Sequence, residues 1–179
     1  LENIETNKWT LFNKHTRVWY ATPAKISDTL LKQVEAIKPD VLFITGLFSW
    51  HYNIVPILFC KGPVKILSAR GMLHPGALSQ KKWKKKVFLQ LFKLLEYHYQ
   101  VDFHATDEEE AKYILNYFGE PAKVFVAGNF PNKIDLLPMA GKEKGAICLV
   151  SVTLISPIKN ILLVLQSLAK CEDRIQYNI

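Results

Sequence analysis

Short runs of β-branched and aromatic residues alternate along this chain with longer stretches of helical periodicity, which limits the folds open to it. The short runs are apolar throughout, as in strands that helices cover on both faces. The order strand–helix–strand favours right-handed crossovers and therefore a parallel sheet. The pattern predicts strands over Arg17–Ala21, Asp40–Thr45, Val64–Ala69, Val101–Thr106, Lys123–Ala127, Ala146–Val152 and Arg174–Ile179, and helices over Ile26–Ile37, His51–Cys60, Ala77–Gln100, Glu108–Phe118 and Lys159–Ala169. We predict an α/β fold with a doubly wound parallel sheet.

One segment interrupts this rhythm. Asn129–Gly145 holds two prolines, two glycines and little periodicity, as an interdomain linker does. Only a strand, a helix and a strand follow it, too little chain to bury a core of its own. We predict a first domain over residues 1–137, and over 138–179 a linker with the first β-α-β unit of a second domain. The chain would then stop inside its second domain or pack its last unit on the first.

Charge and cysteine content restrict the class of protein. Lys and Arg total 23 against 16 acids, a net of +7. Residues 61–100 hold nine bases and one acid, so the rest of the chain is nearly neutral and this window predicts an anionic partner. Three scattered cysteines exclude a disulfide framework and a CxxC site. With no signal peptide pattern and no apolar run of membrane-spanning length, the expected location is the cytoplasm.

The basic window centres on a predicted amphipathic helix. Trp83, Val87, Leu91, Leu94 and His98 follow one another at helical spacing, and lysines flank them. This pattern is typical of a helix lying on an anionic membrane, although a core-packing helix with a solvated basic face has the same pattern. A nucleic-acid-binding module is a third interpretation, disfavoured because no other signature of one is present. The predicted membrane patch is Lys81, Lys82, Trp83, Lys84, Lys85 and Lys86.

The loop Ser68–Gly76 follows a buried strand, where open α/β sheets bind their ligands. It offers a guanidinium, a glycine and an imidazole, so it is predicted to face a ligand; the alternative is a turn that needs Gly and Pro only for its geometry. Asp102 and His104 share a strand face but lack a nucleophile, which favours a structural role. The acidic residues of Asp107–Glu110 are interpreted as first-turn residues of a helix, whose negative charges interact favourably with the positive end of the helix dipole. Neither metal-ligand spacing nor a phosphate-binding glycine loop is present, so we expect no metal and no cofactor.

Several stretches, in order, resemble the family 4 (group 1) glycosyltransferases, which have two Rossmann-like domains in the GT-B arrangement. The likeness spans most of residues 38–170. It is carried by KPDVLFITGLFSW, SARGMLHPGALSQKKWKKKVF, HATDEEEAKYI, VFVAGNFPNKID and LISPIKNILLVLQSLAK. The resemblance implies an incomplete GT-B amino-terminal domain followed by the start of a second Rossmann-like domain.

The same resemblance implies a sugar transferase that uses a nucleotide-diphosphate sugar and a glycan or lipid-linked acceptor, with retention, in cell-surface polysaccharide or lipopolysaccharide synthesis. Acting at the inner face of the membrane, it would bind the donor diphosphate through Lys159 and place Asn129 in the interdomain cleft. The acceptor side would be formed by Arg70, Gly71, Met72 and His74. The catalytic residues themselves are not identified.

Two departures from the family pattern accompany this likeness. Leu154 stands where the family has a diphosphate-binding arginine, and no two glutamates have the family's spacing. These 179 residues are therefore predicted to show no transfer by themselves, and a catalytically inert binding remnant is the alternative. The sequence does not predict the oligomeric state; pairing of the short β-α-β end with another copy is one alternative.

Overall fold

The computed structural model describes residues 5–22, 26–120, 122–130, 147–153, 155, 159–171 and 175–178. The chain divides into two compact units, Leu1–Asn129 and Phe130–Ile179. The predicted boundary between residues 137 and 138 lies outside the described residues. The first unit contains most of the chain.

The first unit is built on a four-stranded parallel sheet. Its strands lie side by side in the order in which they occur along the chain. They are β3 (Val41–Thr45), β4 (Val64–Ser68), β5 (Asp102–Ala105) and β6 (Val124–Val126). Residues Ile44, Leu67, Phe103 and Val124 stand in register across it. The predicted α/β class with a parallel sheet is confirmed.

Helices connect these strands. Two of them, α1 (Ile26–Ile37) and α5 (Glu108–Phe118), have the predicted bounds, while the predicted helix His51–Cys60 starts as a π-helical turn, Trp50–Ile54. Asp107 caps α5 through its side chain, which accepts from the Glu110 amide at 2.8 Å. The helices are α1 (Ile26–Ile37), α2 (Val55–Phe59), α3 (Pro75–Ser79), α4 (Lys82–Leu94), a 3₁₀ turn (Tyr97–Gln100) and α5 (Glu108–Phe118).

The prediction of one helix over Ala77–Gln100 is wrong. The chain breaks at Lys81, with φ 53°, and again at Glu96, with φ 57°. Both residues adopt the left-handed region, which ends a right-handed helix. The breaks let Leu89 and Phe92 of α4 reach the core and then turn His98 inward as well.

The predicted first strand belongs to a separate hairpin, not to the parallel sheet. Strand β2 (Thr16–Trp19) pairs antiparallel with β1 (Trp9–Asn13), which the sequence pattern missed. The Trp9 and Trp19 rings meet edge to face at 5.5 Å. Trp9 Nε1 donates to Gln33 of α1 at 2.7 Å, which attaches the hairpin to that helix.

The core lies on one face of the sheet only. Ile57 of α2, Phe92 of α4 and Ile114 of α5 pack there with the strand residues. The opposite face is open in the described part of this unit. Four of the side chains that project from it are about half exposed: Val41, Phe43, Val64 and Phe125. Right-handed crossovers between strands in sequence order place every connecting helix on the same face. Helices on both faces therefore remain a prediction.

The second unit is a parallel strand–helix–strand element. Its members are β7 (Ile147–Val150), α6 (Ile161–Leu168) and β8 (Ile175–Asn178), with β7 beside β8. Apolar side chains of both kinds of element are exposed, including Leu162 at 65% and Val150 at 66%. Among its described residues none is buried.

The three cysteines should differ in reactivity. Cys60 is buried, whereas Cys148 and Cys171 are exposed. Burial raises the pKa of the Cys60 thiol, and the positive charge of Lys65 opposes this with a smaller effect. A disulfide-exchange reagent at pH 8 should therefore modify two thiols quickly and Cys60 at least about tenfold more slowly, since the thiolate is the nucleophile. The C60S variant should keep the fast phase and lose the slow one. Three equal rates would contradict the assignment.

Candidate functional site

The carboxyl ends of β3, β4, β5 and β6 lie along one edge of the sheet, because parallel strands all end on the same side. We call the loops that follow them the carboxyl edge: residues 46–49, 69–74, 106–107 and 127–129. Ligands of open α/β sheets bind at such an edge. The predicted ligand-facing loop therefore belongs to the carboxyl edge.

The loop after β4 makes a tight turn with unusual backbone. Arg70 and Gly71 have φ values of 51° and 71°, and the Met72 amide donates to Ala69 O at 3.1 Å across them. Glycine adopts such values freely, but at Arg70 they cost about 1 kcal/mol or more. The turn keeps this strain because neighbouring groups hold it in place.

Glu110 is the main group that holds the turn. Its side chain is 5% exposed, and one carboxylate oxygen accepts from the Gly71 amide. The other accepts from the Thr106 amide at 2.7 Å and from the Thr106 hydroxyl at 2.9 Å. Bonds to an ionised acceptor are stronger than neutral ones. Glu110 thus joins the loop after β4 to the end of β5. The predicted interaction with the helix dipole did not include this link.

Arg70 and Asn129 meet at this edge. The guanidinium Nη1 of Arg70 donates to Asn129 Oδ1, joining the loop after β4 to the loop after β6. A guanidinium has five N–H donors, and both side chains are exposed. Two residues that the resemblance assigned to the site are therefore brought together within the first unit.

The other two residues of the predicted acceptor side serve the fold. Met72 is partly buried against the core, and its Cε lies 3.2 Å from where a Cβ would stand on Gly46. His74 caps α3: its Nδ1 accepts from the Gly76 amide at 3.1 Å, and its ring meets Tyr113 edge to face. The Tyr113 hydroxyl donates to Glu109, which raises the pKa of that phenol. Of the predicted acceptor side, Arg70, Gly71 and His74 are exposed, whereas Met72 is half-buried.

His104 has a structural role at the same edge. Its Nε2 donates to Ala127 O at 3.0 Å, so its Nδ1 accepts from the Ser68 hydroxyl at 2.9 Å. These two bonds link β4, β5 and the end of β6. His51 is likewise engaged, with Nδ1 2.5 Å from Ser27 Oγ.

Asn53 is a positioning residue that sequence reasoning missed. It is 1% exposed; its amide nitrogen donates to Thr45 O at 3.0 Å, and its Oδ1 accepts from the Ser49 amide at 2.8 Å. It therefore shapes the loop after β3. The only available signal was a polar residue inside an otherwise apolar helical stretch.

Lys159 belongs to the second unit. It is exposed and directly precedes Asn160, which occupies the N-cap position of α6 without a capping hydrogen bond from its side chain. Leu154, at the position where the resembled family has an arginine, lies outside the described residues.

The exposed surface of α4 is the second unusual feature. Trp83, Val87, Leu91 and Leu94 point to solvent, with Trp83 79% and Leu94 76% exposed, so this stripe is not core packing. The predicted stripe is wrong at one member, since His98 is buried. Lys81, Lys82, Lys84 and Lys86 are exposed, whereas Lys85 turns back to donate to Ala77 O at 2.6 Å. Within the described residues, no helix is both long and apolar enough to cross a membrane.

Two cavities are lined by residues outside the carboxyl edge. A crevice of about 670 Å³ is lined in part by Pro39 and Pro63, which precede β3 and β4 at the opposite edge of the sheet. Burial lowers the pKa of the nearby Lys65, whose ammonium donates to Ile57 O at 2.5 Å. A groove of about 590 Å³ runs along α4. Across the described ranges no three His, Cys, Asp or Glu side chains are grouped to hold a metal.

Comparison with known proteins adds nothing to these observations. The chain matches no model of a known protein family, and no curated protein is significantly similar to it.

Proposed function

We propose that this chain is part of a GT-B glycosyltransferase, with a doubly wound Rossmann-like first domain, that transfers a sugar from a nucleotide-diphosphate donor to an acceptor hydroxyl with retention. The observation that carries the proposal is the carboxyl edge, where Arg70, strained and exposed, is held against Asn129. Both stand in stretches that resemble the family, and they lie where such sheets bind ligands.

The reaction forms a bond between the acceptor oxygen and the anomeric carbon and breaks the bond from that carbon to the diphosphate. The acceptor proton is lost, and a nucleoside diphosphate leaves with the bonding electron pair. Charge develops on the leaving diphosphate, so fixed cations stabilise the transition state. The resemblance assigns this part to Lys159 and assigns the acceptor to Arg70, whose planar donor fork suits paired hydroxyls or a carboxylate.

The test measures nucleoside diphosphate release by the protein as its gene encodes it, using uridine, guanosine and adenosine diphosphate sugars with a lipid-linked glycan acceptor. We expect acceptor-dependent release that falls at least about tenfold in R70A and in K159A, because each removes one charged contact. The controls K14A and K170A remove exposed lysines and should retain activity.

The 179 residues alone should show no transfer. If they bind nucleoside diphosphate but no form of the protein releases it from any sugar donor, the chain is the inert remnant. Release that is unchanged in R70A and K159A would contradict the site.

A further inference from the structure

We propose that α4 lies flat in the interface of an anionic lipid bilayer, inserting its apolar stripe and binding lipid phosphates in the lysine groove beside it. The stripe is Trp83, Val87, Leu91 and Leu94. This inference concerns a surface distinct from the carboxyl edge and does not depend on sugar transfer.

The stripe is exposed although α4 has another face that packs. Phe88, Leu89 and Phe92 attach the helix to the core, so its inner side is satisfied. The stripe lies about 150° around the helix from that side, with its residues at spacings of four, four and three. Two of its residues, Val87 and Leu91, are each 49% exposed. This is the arrangement by which an interfacial helix buries an apolar face in acyl chains.

Lysines border the stripe along its length. Lys82, Lys86 and Lys93 form a row at spacings of four and seven residues, and they line the groove together with Tyr117 of α5. No acidic side chain lines that groove within the described residues. Lys84 stands on the other border of the stripe and is exposed. A cationic rim around an apolar strip complements a surface of anionic headgroups over hydrocarbon.

The same charges disfavour the two other occupants. A second copy that covered the stripe with its own stripe would bring two lysine rows together, and like charges repel. A nucleic acid would pair with the lysines and stack on Trp83, yet Val87, Leu91 and Leu94 would stay in water. A bilayer satisfies both the charges and the apolar side chains.

Vesicle flotation with the full chain tests the proposal, at about 0.1 M salt, where exposed charges still act over about 10 Å. The chain should float with vesicles of phosphatidylcholine containing one-third phosphatidylglycerol and not with phosphatidylcholine alone. K82Q/K86Q/K93Q should weaken binding by about fivefold for each lysine, about 100-fold in all. The matched control K14Q/K32Q/K61Q removes the same charge elsewhere and should change binding by less than about twofold.

A second pair of variants tests insertion. W83A/L94A should weaken binding to anionic vesicles by at least about tenfold, because it removes most of the inserted apolar area, while W50A should not. Emission from Trp83 should shift to the blue on adding anionic vesicles, and W83F should lose that shift. All substituted side chains are exposed, and circular dichroism checks that each variant is folded.

Three results would overturn the proposal. One is the absence of a charge effect, seen either as equal flotation with anionic and neutral vesicles or as equal loss in the two lysine triples. Another is tight, salt-dependent binding to an oligonucleotide that W83A/L94A leaves intact, which would assign the surface to nucleic acid. The third is a dimer in solution that W83A/L94A dissociates, which would assign the surface to a second copy.

Discussion

Replacing Glu110 by alanine is expected to lower the free energy of unfolding of the first unit by about 3 kcal/mol. The substitution leaves the amides of Gly71 and Thr106 and the Thr106 hydroxyl without their acceptor. Gly71 is exposed and Thr106 is half-buried, so water can reach these donors, and each lost bond is expected to cost about 1 kcal/mol. E110Q retains one carbonyl acceptor and should lose about half as much.

Urea denaturation followed by tryptophan fluorescence measures this effect. All four tryptophans, at positions 9, 19, 50 and 83, lie in the first unit, so the signal reports that unit alone. Glu108 provides the matched control, since it is an exposed acid in the same helical turn, and E108A should cost about 0.5 kcal/mol at most. Hydrogen exchange at the Gly71 amide should accelerate in E110A only. If E110A and E108A are equally stable, Glu110 does not hold the turn.

The Glu110 contact also marks a limit of sequence reasoning. The pattern around Asp107 predicted the start of α5, because capping is a local interaction within one turn. The partner amide at Gly71 is 39 residues away, and no local pattern announces it. The same holds for Ser68 and His104, which meet because β4 and β5 pair in parallel register.

Strand and helix prediction succeeded and failed for identifiable reasons. The four strands of the parallel sheet were predicted because each is a short run containing β-branched or aromatic residues, set between stretches of helical periodicity. The long helix Ala77–Gln100 was not correct, because the chain turns at Lys81 and Glu96, residue types that carry no turn signal. Packing decides those breaks: a continuous helix could not direct both Phe92 and His98 into the core where they now lie.

Cover of the second sheet face remains a prediction, and hydrophobic periodicity alone does not decide it. The run Asp40–Thr45 indicated cover on both faces, and Val41 and Phe43, which face away from the helices, are about half exposed. Coverage depends on strand order, which periodicity does not reveal. A doubly wound sheet covers its second face only where the strand order reverses. The described order, β3-β4-β5-β6, contains no reversal.

Phe118 is the hub of an aromatic cluster, and its replacement should have the largest effect on stability. It is 2% exposed. Its ring stacks on Phe103 with centroids 5.0 Å apart, contacts Phe92 at 5.6 Å and lies parallel to His98 at 5.8 Å. The cluster therefore joins β5, α4, the 3₁₀ turn and the end of α5.

F118A is expected to lower the free energy of unfolding of the first unit by about 4 kcal/mol, through lost burial and the cavity left behind. F118L fills part of that cavity but loses the ring contacts, so about 1–2 kcal/mol is expected. Phe125 is 60% exposed on the open face of the sheet, and F125A should cost less than about 1 kcal/mol. The same fluorescence-monitored urea titration ranks the three variants. Equal midpoints for F118A and F125A would show that the cluster does not hold the helical layer to the sheet.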